Sequence, residues 1–303
     1  MSAQVAAIVI NRNTREFLRS CLETLEAQDF SGGLSLWVVD NGSSDGSPQM
    51  VLNEFEGVNL VWNKKNVGYA RACNQGIANT AEPYVFIMNS DTSLASDTVS
   101  ELVAYLESHP ACGLAAPVLR NSDGTLQYSC RDFPSIPTAF VHAFLGLFAG
   151  ENPSSASYKK MSWDHRQEAE VDWVSGAFMA ARREALEQVS CFDEGYFMYV
   201  EDVDLCWRLR QAGWSVGFVP RGEVYHHIGM TSQAVPARMV FHHHRSMLRF
   251  HRKTYRGPAR GPVNALVAVG VATRLALIMA LNAYYRLRSA LGGAAKVIMP
   301  GRQ

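Results

Sequence analysis

The hydrophobic pattern of the chain alternates between two periods. Val5–Ile10 is a short, mostly β-branched run of the kind a buried strand shows, and Phe17, Leu18, Cys21, Leu22 and Leu25 then fall on one face of a helix. The alternation repeats: strands are predicted at Leu34–Val39, Val58–Trp62, Tyr84–Met88 and Gly113–Leu119, with helices at Ser47–Phe55, Gly68–Asn79 and Thr98–Glu107 between them. Ser47-Pro48 reads as an N-cap followed by proline at the first helical position. Such an order predicts an α/β fold, with βαβ units around a mainly parallel sheet flanked by helices. Ligands of these sheets sit beyond the carboxyl ends of the strands. The polar clusters that begin at Asn11, Asp40 and Asn89 all fall on that edge.

Residues 121–170 are less regular; Pro134, Pro137, Pro153 and the patch Ser154–Ser157 predict loops and a lid, with Phe140–Phe148 apolar enough for a short helix. Val171–Val174 and Ala177–Ala181 are expected to be strands on either side of Ser175-Gly176. An amphipathic helix is predicted over Val200–Ala212, and two separate strands over Trp214–Val219 and Glu223–His226. After Pro236 the character changes. Met239–Arg256 mixes His, Arg and aromatic residues at helical spacing, and Asn264–Leu281 is almost wholly apolar, broken by Thr273 and Arg274. The expected division is a catalytic domain over 1–236, with halves at 1–120 and 121–236, and a basic, apolar helical tail over 237–303.

Composition adds little to this: 303 residues with 48% apolar and 18% charged side chains describe an ordinary globular chain of about two domains. Charge adds more. Twelve of the 28 basic residues lie after Glu223 and none of the 28 acidic ones do, so the first 223 residues carry a formal −12 and the remainder +12. Such a tail is expected to meet a polyanion or an anionic membrane. The apolar run approaches the ~20 residues a bilayer span needs, but an arginine near the centre of a span costs about 2.5–3.5 kcal/mol. An in-plane or shallowly inserted helix is therefore expected, peripheral on the inner face of the cell membrane. The long apolar run carries no stacking platform, which argues against a nucleic-acid partner. Met1–Gln4 has no basic n-region, and the six cysteines are scattered with no CxxC pair; both point to reduced thiols in the cytoplasm.

Several clusters carry chemistry. Asp40, in Asp40-Asn41-Gly42-Ser43-Ser44-Asp45-Gly46, is placed either to accept from an N–H donor such as a pyrimidine imide or to form an Asx-turn. Asp91, in Asn89-Ser90-Asp91, is a carboxylate at a sheet edge, as a hard cation bridging two phosphates requires, or else part of a helix-entry turn. Asp193-Glu194, Glu201-Asp202 and Asp204 put five carboxylates within twelve residues. A helix N-terminus favours acids, and an acid here is also placed to be a general base towards an alcohol. Neutral imidazole at His226 or His227 suits a borderline cation such as Mn²⁺, or serves structure. Asn66-Val67-Gly68-Tyr69-Ala70-Arg71 opens a helix, so its amides and Arg71 are candidates to face phosphate, although no GxxxxGK[ST] is present. His242-His243-His244 looks like a metal tract but sits in a basic helical stretch.

In order, these segments resemble the inverting glycosyltransferase family 2, with its GT-A fold. The likeness spans about residues 4–256 and rests on Val9–Asn13, Val39–Ser47, Asn66–Ala70 with Asn74, Met88–Asp91, Val174–Ala177, Phe192–Glu194, Glu201–Leu205 and His226–Thr231. Within the family it looks most like the bacterial rhamnosyltransferase-like branch that builds cell-envelope polysaccharides on lipid carriers. The resemblance implies a nucleotide-diphospho-sugar donor, dTDP-L-rhamnose or alternatively a UDP-sugar. It also implies a lipid-linked or saccharide acceptor and a divalent cation, Mn²⁺ or Mg²⁺. By the same resemblance Asp40 would hold the nucleotide base with Asn11 and Asn66 nearby. Arg71, Asn89 and Ser90 would complete the nucleotide-sugar site. Asp91 and His226 would hold the metal. Asp202 would be the catalytic base with Glu201 beside it, and Trp173, Ser175 and Gly176 would line the acceptor side. Two departures stand out: the first acid of the family's DxD is Asn89, and Arg12 stands where many relatives carry an aromatic residue. A nucleotidyltransferase, the competing enzyme class, normally has a Gly-rich loop with a Lys/Arg signature after its first strand, which Asn11-Arg12-Asn13-Thr14 does not supply.

Overall fold

The computed structural model describes residues 4–133, 160–227, 237–255 and 260–290, so the expected helix at Phe140–Phe148 and the positions Ile228–Thr231 lie outside the described residues. The chain forms two compact units. Of the described residues, the first holds 4–133, 160–197 and 201–227; the second holds 198–200, 237–255 and 260–290.

The first unit is built on one sheet. Strands β1 (Gln4–Asn11), β2 (Gly33–Asp40), β3 (Val58–Trp62) and β4 (Tyr84–Asn89) are mutually parallel in the order β3-β2-β1-β4. After β5 (Thr92–Leu94), β6 (Cys112–Arg120), β11 (Phe178–Arg182) and β12 (Ser215–His226), the order continues β4-β11-β6-β12-β5. β11 runs antiparallel between β4 and β6, and β12 runs parallel to β6. The short strands β7 (Leu126–Gln127) and β9 (Ala169–Glu170) pair with β6 and β12, while β8 (Cys130–Arg131) and β10 (Trp173–Val174) form a separate two-stranded ribbon.

Residues 5–11 of β1 are all buried, which is why the strand reads as a continuous apolar run rather than an alternating one. Helices α1 (Arg15–Glu26), α2 (Ser47–Glu54), α3 (Tyr69–Ala78) and α4 (Thr98–Ser108) connect the early strands. Leu18, Cys21, Leu22 and Leu25 of α1 enter the core as its spacing requires, and each fully buried leucine contributes about 1.5–3 kcal/mol. The helix at 47 begins one residue earlier than its proline implies. Gly46 is the cap, in left-handed backbone (φ 83°), and Ser47 is the first helical residue, its hydroxyl donating to Asp45 Oδ1 at 2.6 Å.

Four elements depart from the pattern of the sequence. The two strands expected at Trp214–Val219 and Glu223–His226 are one strand, β12, whose pairing with β6 shifts between Val219 and Glu223. Pro220 lies inside that shift; with no N–H to give, proline is tolerated where the ladder is interrupted. Helix α5 (Arg183–Gln188) and the three-residue β5 are too short to show a period. The acidic helix, α6 (Glu201–Gln211), begins one residue after its expected start.

The second unit contains α7 (Ala237–Thr254) and α8 (Gly261–Ala290), which pack through Val240 and Ile278 with Met239 and Leu275 around them. His244 Nδ1 donates to Val240 O at 2.7 Å, which leaves Nε2 to accept from Arg274 Nη1 at 3.0 Å. The arginine that interrupts the apolar run is thus turned onto α7, and burial lowers its pKa to about 10.

Candidate active site

The parallel register places Asn11 opposite Asp40, and Ile10 opposite Asn89, so the ends of β1, β2 and β4 lie side by side. Asn11 and Asp40 are wholly buried. Asn11 Nδ2 donates to Asp40 Oδ2 at 2.8 Å, and the Ser43 amide donates to Asp40 Oδ1 at 2.9 Å. Thr14 Oγ1 donates to Asn11 Oδ1 at 2.7 Å and lies 2.6 Å from the hydroxyl of Ser90. Three strand ends are therefore cross-braced through side chains of consecutive loops. Asn41 extends the brace: its Nδ2 donates to Asn66 Oδ1 (3.1 Å) and its Oδ1 accepts from the Val67 amide (2.8 Å). The loop at 65–66 comes so close that a Cβ on Gly42 (φ +78°) would lie 2.7 Å from Lys65 backbone atoms.

Beyond β4, His226 Nε2 lies 3.3 Å from Asp91 Oδ1. The two meet because β5, directly after Asp91, pairs with the end of β12 and sets Thr92 opposite His226. The His227 amide donates to Asp91 O at 2.8 Å, tying the same two segments. His226 Nδ1 donates to Gln127 Oε1 at 2.8 Å, which fixes the tautomer and leaves the Nε2 lone pair towards Asp91 and the Asn89 amide group. A carboxylate oxygen and an imidazole lone pair at this separation suit two neighbouring positions around a divalent cation, with other positions left for phosphate oxygens and water. The residues present fit such an ion, with two protein ligands. Among the described residues no cluster of three or more His, Cys, Asp or Glu is poised to hold a metal alone.

The acidic pair opens α6. Asp202 is partly exposed; its Oδ2 accepts from the Gly176 amide at 2.9 Å and its Oδ1 from the Val203 amide at 2.8 Å. Burial raises its pKa above the usual carboxylate value, against those two amides and the positive charge of Arg131. Glu201 is only 7% exposed, and its Oε2 is buried without a hydrogen-bond partner among the described residues. Burial, then the charge of Asp202, pushes the Glu201 pKa well up, so its carboxyl holds its proton more tightly than usual. Asp204 does other work: it accepts from Tyr196 Oη (3.0 Å) and from Arg208 Nε (2.6 Å) inside the unit.

Gly176 precedes β11, and the Asn89 amide donates to the neighbouring Ala177 O at 3.0 Å, so the Asp202 contact lies beside the end of β4. Ser175 is fixed by its amide on Ser129 O at 2.9 Å. Trp173 is buried, with its indole N–H on Asp132 O at 3.0 Å and its ring under Arg131. Arg71 is exposed on α3, 3.8 Å from Glu194. The structure thus gathers Asn11, Asp40, Asn66, Asn89, Ser90, Asp91, His226, Gly176 and Asp202 along the ends of β1, β2 and β4; Arg71 faces Glu194 and Trp173 is packed beneath Arg131. Two residues that sequence reasoning passed over support them: Gln127, which orients His226, and Tyr69, whose hydroxyl donates to Gly176 O at 2.7 Å. Gln127 carries no motif, and Tyr69 sits inside a stretch whose recognisable signal is its glycine.

The profile of "Glycosyl transferase family 2" matches residues 6–190. The chain belongs to that family. It is 34% identical over 257 residues to the N-acetylglucosaminyl-diphospho-decaprenol L-rhamnosyltransferase of Mycobacterium tuberculosis, covering 81% of this chain and 83% of the relative. It is 26% identical to the rhamnosyltransferase WbbL of Escherichia coli, covering 81% of this chain and 92% of that protein. Among solved structures, the mannosyltransferase PcManGT from Pyrobaculum calidifontis, in complex with GDP-Man and Mn²⁺, superposes with a TM-score of 0.57 at 18% identity, covering 96% of this chain and 81% of that one. GalNAc-T7, with UDP, GalNAc and Mn²⁺, superposes with a TM-score of 0.60 at 13% identity, covering 82% of this chain and 48% of that longer one. The fold is GT-A and the protein is a glycosyltransferase.

Proposed function

We propose that this glycosyltransferase moves L-rhamnose from dTDP-L-rhamnose to a lipid-linked or saccharide acceptor in cell-envelope polysaccharide synthesis, with inversion. The observation that carries the reading is the pairing of Asp91 Oδ1 with His226 Nε2 at 3.3 Å, along the strand ends that also present Asp202. The choice of rhamnose rests on the two relatives that carry rhamnosyltransferase names.

In this reading the nucleobase end is Asp40, Asn11 and Asn66. Asp40 accepts one bond on each oxygen, from Asn11 and from the Ser43 amide, and would meet a pyrimidine imide through the lone pairs left over. Asp91 and His226 hold a divalent cation, Mn²⁺ or Mg²⁺, with Asn89 and Ser90 beside them. When bound, the cation supplies positive charge to the diphosphate leaving group. Asp202 takes the proton from the acceptor hydroxyl as its oxygen forms the new bond to the anomeric carbon. The bond from that carbon to the diphosphate oxygen breaks on the opposite face, and the nucleoside diphosphate leaves with the electron pair. A carboxylate whose pKa is raised is better matched to this task near neutrality than an ordinary one. Ser175, Gly176 and Trp173 border the acceptor side.

The acceptor's carrier accounts for the tail. Helix α8 is the one described helix long and apolar enough to cross a membrane by length and composition. Leu266 (71% exposed), Val269 (63%), Met279 and Leu287 are exposed on it, while Arg274 is turned onto His244. An in-plane seat for α8 on the inner face of the cell membrane fits an apolar helix flanked by basic residues.

The test is transfer from dTDP-L-rhamnose to an N-acetylglucosaminyl-diphospho-prenol with Mn²⁺ or Mg²⁺, alongside a UDP-sugar as competing donor. Asp91→Ala and Asp202→Asn should each lower the rate by about 10²-fold or more. Wild-type rates in Asp202→Asn overturn the choice of base, and transfer from the UDP-sugar alone overturns the donor.

A further inference from the structure

The geometry points to Tyr69 as a positioning residue that aims the carboxylate of Asp202 through the backbone of Gly176. This rests on the reading of Asp202 as the general base. Gly176 is held at both ends of its peptide groups: its C=O accepts from Tyr69 Oη at 2.7 Å, and its N–H donates to Asp202 Oδ2 at 2.9 Å. Asp202 therefore has one amide from its own helix, Val203, and one whose position a residue of α3 sets.

Tyr69 is itself anchored on the other side. Its amide donates to Phe197 O at 2.8 Å, and a Cβ on Gly68 (φ +95°) would lie 2.7 Å from that same oxygen. The loop before it is tied to the end of β2, since Asn41 donates to both Asn66 Oδ1 and Gly68 O. One short segment thus runs from the residue after Asp40 to the residue that braces the base. Burial raises the Tyr69 pKa well above its ordinary value, so its hydroxyl remains a donor at any working pH.

The groups facing Asp202 are Arg131 from β8, Tyr69 from α3, and Glu201 and Cys206 from its own helix. Of the amides that favour its charged form, those of Val203 and of Asp202 itself belong to its own helix, and only that of Gly176 depends on a distant side chain. Losing it moves the Asp202 pKa upward, because a hydrogen-bonded carboxylate is easier to ionise than one without the donor.

The experiment is a pH–rate profile of the full chain with dTDP-L-rhamnose and N-acetylglucosaminyl-diphospho-prenol, for wild type, Tyr69→Phe and Asp202→Asn. Tyr69→Phe keeps the ring and deletes only the hydroxyl. It is expected to lower kcat by about tenfold on the acidic limb, with donor KM within about twofold. The acidic limb should move up by about one pH unit, the effect of one lost bond to a charged group. Activity should therefore recover towards wild type as pH is raised. An unshifted acidic limb, with kcat lowered equally at every pH or not at all, overturns the inference. Asp202→Asn retaining wild-type activity sinks the base assignment instead, so the two failures are distinguishable. A substrate-independent readout is urea unfolding of Tyr69→Phe in wild-type and Asp202→Ala backgrounds. The loss of midpoint should be smaller without the carboxylate, and equal losses overturn the inference.

Discussion

Glu201 and Asp202 are adjacent carboxyls with opposite fates. Asp202 is given two amide donors and stays ionisable, while Glu201 is buried with an unpartnered oxygen. The buried member holds its proton in the folded state above the pH at which it would lose it unfolded, so the folded protein binds more protons there. Its favourable contribution is complete below about pH 4.5 and is lost as pH rises through the elevated folded value. Glu201→Gln, which fixes the neutral form, should therefore flatten the fall in urea midpoint from pH 5 to 8 and raise the midpoint at pH 8; a steeper fall contradicts it. Gln127 acts on the other side of the site. It fixes the His226 tautomer, and for the metal-ligand role proposed for His226, outer partners of this kind are worth 10–100-fold in affinity. Gln127→Leu should weaken Mn²⁺ binding by about tenfold in titration calorimetry, with the fold intact by circular dichroism.

At the scale of elements, β1 and β4 were legible because each is buried on both faces and bounded by a polar cluster. The acids Asp91 and Asp202 were legible by their places after a strand and at a helix start. What brings Asp91 to His226 was not, because a three-residue strand has no period and its partner is contributed by a strand far along the chain. The single β12 was hidden by Pro220 and its neighbours, which resemble a turn in sequence while the strand passes through them with a shifted register. The His242–His244 tract has a packing role at two of its members: His244 is spent on Val240 and Arg274, and His243 is half-buried with its Nδ1 inside, where desolvation lowers its pKa to about 3. An imidazole kept neutral in the fold favours unfolding once the unfolded chain can take up a proton. Stability is whole above about pH 6.5 and falls as the pH drops towards 3. The thermal midpoint should decline from pH 6.5 to 5, and by less in His243→Phe.

For the whole molecule the formal charge is zero, yet the halves on either side of Glu223 differ by 24 units, −12 against +12. A neutral protein with this division is attracted to an anionic surface by one end only, and exposed charges act over about 8 Å at physiological salt. Sedimentation with vesicles of anionic lipid should recover the protein at low salt and less of it at high salt. Leu266→Glu with Val269→Glu should abolish the part that survives salt, because that part comes from apolar insertion rather than charge. Binding to neutral vesicles that equals binding to anionic ones would remove the electrostatic half of this account.

The pairing of β5 with β12 has a consequence in time. His226 stands 137 residues after Asn89, so a ribosome that has emitted β1 through β4 has produced Asn11, Asp40 and Asn89 without the imidazole. The Asp91–His226 pairing therefore awaits the strand that lies beside Thr92. A nascent chain halted before that point carries Asp91 without the imidazole it pairs with.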